Sequence, residues 1–140
     1  MRSGDFDVPL FHKLEKTIRD GGAVVLTSST TILYGESDLG YVAAKAGIAG
    51  LGKGLALALA RRKIRVNVVA PGPIDTPMLR SVTTGAERAM LRTFTPLGRL
   101  GEPLHVANTI LFFLDDGSAH ITGQMLVIDG GLSIAYRPVL

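Results

Sequence analysis

Residues 21–51 read GGAVVLTSSTTILYGESDLGYVAAKAGIAGL. Two glycines precede Ala23–Leu26, a short, wholly apolar run with β-branched Val24 and Val25 at its centre. Such a run suits a strand buried on both faces, as in a parallel sheet. A polar, turn-rich stretch, residues 27–40, follows. From Tyr41 the pattern becomes rich in Ala and Leu and reads as a long helix through Ala60. A buried strand leading through a turn into a long helix is the first half of a βαβ unit.

The same alternation continues outward. Ahead of the opening glycines, Pro9 suits the first turn of a helix, Leu10, Leu14 and Ile18 follow at helical spacing, and Gly21-Gly22 stops it. Beyond Ala60, residues 64–70 read as the next buried strand, broken by Pro71-Gly72-Pro73. Residues 79–94 read as an irregular or helical flap. Residues 103–115 carry Val106, Ala107, Ile110, Leu111 and Leu114 on one helical side, and Met125–Ile128 is a third apolar strand closed by Asp129-Gly130-Gly131. Helix, strand, helix, strand, helix, strand predicts right-handed crossovers and about three parallel strands with flanking helices in one α/β domain.

Composition narrows the class. The 140 residues are 46% hydrophobic and 19% charged, which fits one folded core rather than a disordered chain. The chain has no cysteine, so disulfides and thiolate metal sites are excluded, and this fits a cytoplasmic protein. His12, His105 and His120 share no ligand spacing, so no metal site is expected. No signal-peptide core is visible at the N-terminus, and no apolar run reaches the roughly 20 residues of a membrane span. The net charge of +3 raises the question of nucleic acid. However, the largest basic cluster, Arg61-Arg62-Lys63 with Arg65, ends a helical pattern, where cations complement the dipole. No aromatic residues interleave with it, so neither nucleic acid nor a membrane is expected as a partner.

Tyr41 and Lys45 stand one helical turn apart and share a face. An ammonium beside a phenol favours the phenolate, and a phenol so tuned exchanges protons near neutral pH. By itself Tyr-x-x-x-Lys is a common solvated helix pair. Four further signals surround it in order: Ser28 at the end of the apolar strand, thirteen residues before Tyr41; IRVNVVAPGPIDTPM at residues 64–78; the Gly98-Arg-x-Gly-x-Pro103 turn; and Thr122-Gly-Gln with Asp129-Gly-Gly. Together, over residues 21–132, these resemble the catalytic half of the short-chain dehydrogenase/reductase family, most nearly its 3-oxoacyl-carrier-protein reductase-like members.

The resemblance implies the C-terminal part of a Rossmann-like doubly wound sheet. It implies an oxidoreductase moving a hydride between NAD or NADP and a small-molecule carbonyl or secondary alcohol. Tyr41 would be the general acid/base. Lys45 would support it and bind the nicotinamide ribose, and Ser28 would hydrogen-bond the substrate oxygen. Pro71, Gly72, Ile74 and Thr76 would line the nicotinamide site beside Tyr41 and Lys45. Plainer roles stand beside these: Ser29 or Thr27 as the turn's cap in place of a chemical Ser28, and Thr76-Pro77 as a helix start.

The family's Gly-x-x-x-Gly-x-Gly loop, which holds the cofactor pyrophosphate at a helix N-terminus, is absent from the sequence. So is the catalytic asparagine expected before Ser28. The expectation is therefore a partial domain lacking its glycine-rich half. Its activity alone is open, the alternative being a non-catalytic assembly module or gene fragment. The first strand would be left as an unpaired edge. Gly47, Gly50 and Gly54 recur at helical spacing. They offer a close-packing face either to the chain's own first helix or to a second copy, giving a homo-oligomer through residues 41–60. Asp115-Asp116, at the negative end of the third helix, is unfavourable to the dipole.

Overall fold

The computed structural model describes Lys13, residues 16–35 and residues 37–135. Pro9, Leu10, Leu14 and His12 lie outside them. Lys13, Lys16 and Thr17 are helical, and Ile18 packs under the core.

Three strands form one parallel sheet in the order β1 (Ala23–Thr27), β2 (Arg65–Pro71), β3 (Met125–Ile128). Val24 is level with Val66 and Val68 with Met125. The helices are α1 (Thr31–Tyr34), α2 (Leu39–Leu59), α3 (Pro77–Val82), α4 (Gly85–Phe94) and α5 (Pro103–Leu114). The expected three-stranded α/β architecture is the observed one. The flap is two short helices.

Alternation along β2 assigns the faces, because successive side chains point to opposite sides. Val66 joins Leu55, Ala56, Leu59 and Ile64 in the main core, with Val24, Leu26 and Leu51 packed on it. That is the α2 face. Gly52 sits against Val68, and a Cβ there would run into the valine side chain. Arg65 turns the other way. Its guanidinium donates to the carbonyls of Phe113 (2.7 Å) and Asp115 (3.1 Å) and to the Ser118 hydroxyl (2.7 Å), at the end of α5.

This arrangement resolves the Asp115-Asp116 conflict. The helix end has its cation, supplied by β2. Asp115 serves the following turn, accepting from Gly117 N at 2.8 Å.

One sequence expectation needs correction. The helix spanning residues 39–62 has a hydropathy of 1.4 and is long and apolar enough, by length and composition, to cross a membrane. Its Gly52, Leu55, Ala56 and Leu59 are buried against the sheet, and most of its first half is exposed.

Candidate functional site

The strand ladder continues past the carboxyl ends of the strands and gathers three loops. Ser28 N donates to Val69 O (2.8 Å), Thr30 N to Pro71 O (3.0 Å) and Gly72 N to Ile128 O (3.0 Å). At Gly72 a Cβ would come within 2.5 Å of the Asp129 Cβ, so only glycine lets the second and third loops meet this closely. Ligands of open parallel sheets bind at this end of the strands.

Asp38 starts α2 by accepting from Tyr41 N at 3.0 Å. Tyr41 therefore lies in the first turn, at the mouth of the sheet, and is 41% exposed. One turn on, the Lys45 ammonium lies 5.6 Å from the Tyr41 ring centroid, within cation–π range, and donates to Thr27 O at 3.1 Å. Ser28 is 2% exposed, and its Oγ donates to the main-chain carbonyl of Lys45 at 2.8 Å. Ser28, Tyr41 and Lys45 are thus brought together, with Lys45 as the common link.

Pro71 ends β2, and the loop after it holds Gly72, Ile74 and Thr76; all four are half-buried. Ile74 bridges Gly101, with Asp75 N donating to Gly101 O (2.8 Å) and Gly101 N to Pro73 O (3.0 Å). Thr76 caps α3 by accepting from Leu79 N at 3.2 Å, so the helix-start reading holds for it. The asparagine of the strand motif, Asn67, is buried and acts on the backbone. Its amide donates to Ile121 O (2.9 Å) and its carbonyl accepts from Gln124 N (3.0 Å). His105 accepts from Glu102 N at 2.9 Å, a structural role at the start of α5.

Two features escaped the sequence reading. Tyr34 Oη donates to Thr30 Oγ1 at 2.7 Å, and Thr30 Oγ1 reaches Pro71 O at 3.4 Å, tying α1 to the β2 loop. Asp75 and Arg80 form a forked pair (2.8 and 3.0 Å), which holds the Asp75 carboxyl below its ordinary range. The i,i+4 offset of Tyr34 from Thr30 was available as a signal. The Asp75–Arg80 offset of five matches no helical rule, because the pair straddles the cap.

Residues 8–133 match the family model described as enoyl-(acyl carrier protein) reductase. The chain belongs to the short-chain dehydrogenase/reductase family. This reductase-family chain is 46% identical over 114 residues to a 3-oxoacyl-[acyl-carrier-protein] reductase of Thermotoga maritima, covering 81% of this chain and 46% of the relative. It is 43% identical over 111 residues to a cyclohexanol dehydrogenase of an Acinetobacter species, covering 79% and 43%. The crystal structure of levodione reductase superposes with a TM-score of 0.81 at 34% identity, covering 90% of this chain and 53% of that one. The chain spans about half the length of the relatives it matches.

Proposed function

We propose that this chain carries the proton-transfer half of an NAD(P)-dependent oxidoreductase acting on a carbonyl or secondary alcohol. The observation that carries the reading is the placement of Lys45. Its ammonium stands beside the Tyr41 ring and is fixed on Thr27 O, while the Ser28 hydroxyl binds the same residue's carbonyl. The relatives' names, which include a 3-oxoacyl reductase and a cyclohexanol dehydrogenase, denote this carbonyl–alcohol chemistry.

The donor set fits the nicotinamide end of the cofactor. An ammonium has three N–H donors, and one of Lys45's is engaged by Thr27 O. The others remain for ribose hydroxyls. Pro71, Gly72, Ile74 and Thr76 would form the wall behind the ring. The pyrophosphate end has no matching site among the described residues. The strand-to-helix turn after β1 is Thr27-Ser-Ser-Thr30, without glycine, and the one after β2 is tied to Gly101. When bound, the nicotinamide supplies or accepts the hydride.

In the reduction direction, Tyr41 Oη gives its proton to the substrate oxygen and Lys45 stabilises the phenolate left behind. A serine hydroxyl orients that oxygen. The sequence expectation puts Ser28 in this role. Its donation to Lys45 O favours a second reading, in which Ser28 fixes the helix and does no chemistry, while Ser29 caps the turn by accepting from Thr31 N at 3.3 Å. Ser28→Ala separates the two readings by whether it lowers turnover.

The test pairs this chain with the glycine-rich half of a related reductase and follows NAD(P)H absorbance over a carbonyl panel. Tyr41→Phe should cost about 10²–10⁴-fold in turnover. Unchanged turnover removes Tyr41 from the role. A non-catalytic assembly module is the second functional reading. Tight binding of NAD or NADP to this chain alone, read by calorimetry, counts against it.

A further inference from the structure

We infer that Tyr34 is a positioning residue for the proposed reaction: acting through Thr30, it sets the Pro71–Gly72 peptide that would wall the nicotinamide ring. The inference rests on the proposed hydride-transfer site, which makes that peptide part of the cofactor's seat.

Three loops meet at this peptide. Its carbonyl, Pro71 O, accepts from Thr30 N at 3.0 Å, and its N–H, on Gly72, donates to Ile128 O at 3.0 Å. A Cβ on Gly72 would lie 2.5 Å from the Asp129 Cβ and 3.5 Å from Thr30 Oγ1, so both neighbouring loops crowd it. A rotation of this peptide would carry the wall of Pro71, Gly72 and Ile74 with it.

Thr30 holds the carbonyl side and is 1% exposed. Its Oγ1 donates to Pro71 O at 3.4 Å and accepts from Tyr34 Oη at 2.7 Å. The direction of the second bond follows from the first. Pro71 O can only accept, so the single hydroxyl proton of Thr30 goes there, and Tyr34 is the donor to the threonine oxygen. At 3.4 Å the bond to Pro71 O is long. A hydroxyl that accepts a hydrogen bond donates a stronger one, so the phenol both orients and strengthens it. The phenol's own proton is committed to Thr30 Oγ1, and its effect on the reaction passes through that hydroxyl.

The local sequence puts Tyr34 within reach. Thr30 is the N-cap of α1 but makes no side-chain cap bond, because its hydroxyl is turned to Pro71. Ser29 Oγ accepts from Thr31 N instead, at 3.3 Å. Tyr34 follows Thr30 by four residues, one turn along. Gly35 then ends α1 in the left-handed region, at φ 70°, with its N–H on Thr31 O at 2.7 Å. This closed turn fixes the backbone from which the half-buried phenol reaches back.

The experiment compares wild type, Tyr34→Phe, Thr30→Val and the double variant. In the full chain, NMR follows amide exchange. Tyr34→Phe should speed exchange at Gly72 about threefold or more, the size of one lost neutral hydrogen bond, and leave Ser28 unchanged. Thr30→Val should speed Gly72 at least as much. Adding Tyr34→Phe to it should change nothing further, because the phenol acts through the hydroxyl. Thr30→Ser keeps the hydroxyl and should keep the wild-type rate. In the chain complemented with a glycine-rich half, Tyr34→Phe should raise the KM for NAD(P)H about three- to tenfold and leave kcat and its pH midpoint in place. The inference is overturned if Tyr34→Phe leaves Gly72 exchange or that KM unaltered, or if the two substitutions add. It is also overturned if Tyr34→Phe moves the pH midpoint of kcat, because the phenol then takes part in the proton step. If the complemented wild type shows no turnover while Gly72 responds as expected, the hydride-transfer reading falls and Tyr34 stands as the residue that sets this loop.

Discussion

Asp75 illustrates how a single residue couples the proposed nicotinamide wall to the flap above it. Its amide is held by Gly101 O and its carboxylate by Arg80, so one residue pins both the loop and α3. The Arg80 hydrogen bonds hold the Asp75 carboxyl below its ordinary value of 3.8. A depressed folded-state value means that the pairing contributes fully above the unfolded-state value. It is lost only as pH falls below that value and through the folded one. Following the Asp75 carboxyl carbon by NMR should show a midpoint below 3.8, and Arg80→Gln should bring it back toward 3.8. No change in the variant would mean that the fork does not persist in solution. Such residue-level links were the least legible part of the sequence. Ser28, Tyr41 and Lys45 could be picked out because strand end and helix turn fix their spacing. The hydrogen bond from Ser28 to Lys45 O crosses between elements, so no local spacing announces it.

At the scale of elements, strand and helix identity followed from periodicity, and boundaries followed less well. The pattern predicts the long helix from Tyr41; it begins at Leu39, because Asp38, three residues before Tyr41, caps it. Periodicity alone does not separate irregular from helical in the flap, yet Thr84 and Glu87 spell a capping box, and that box starts α4. Arg65 shows the limit of local reading. It looked like the tail of a basic helix end and is the C-terminal partner of a different helix, about 50 residues away. Replacing Arg65 with Met keeps the stem and removes the donors. The Phe113 and Asp115 carbonyls then lose a charged partner, at a cost of roughly 1.5–3 kcal/mol. Urea unfolding of Arg65→Met should report that loss, whereas Arg61→Met, on an exposed residue, should stay within about 0.5 kcal/mol. Equal stability of the two variants would mean that solvent replaces the Arg65 bonds. In a parallel way, Tyr34→Phe removes the donor to Thr30. It should speed amide exchange in the β2 loop, with little change in overall stability.

At the scale of the whole molecule, the sheet is legible as far as its members and incomplete as to its edges. Among the described residues β1 pairs with β2 alone. The relatives are about twice this chain's length. The glycines of α2 divide between a packed face and an open one. Gly52 faces the sheet, where a methyl group would strike Val68. Gly47 and Gly50 face open space, with nothing within 4 Å of an added Cβ. In an isolated folded chain, Gly50→Ala should therefore stabilise by about 0.5–1 kcal/mol, since alanine restricts the unfolded chain and fits the helix. Gly52→Ala should destabilise by roughly 1–3 kcal/mol through overpacking. If the open face packs against a second copy, the sign at Gly50 depends on protein concentration: stabilising when dilute, destabilising where the wild type associates. Gly50→Leu amplifies the effect by holding two helices apart. Sedimentation of wild type and Gly50→Leu at matched concentrations, beside unfolding curves of the alanine variants, separates these cases. An association that Gly50→Leu leaves unaltered places the contact elsewhere on the molecule. A wild type that stays monomeric at all accessible concentrations leaves Gly47 and Gly50 as solvent-facing positions in this half.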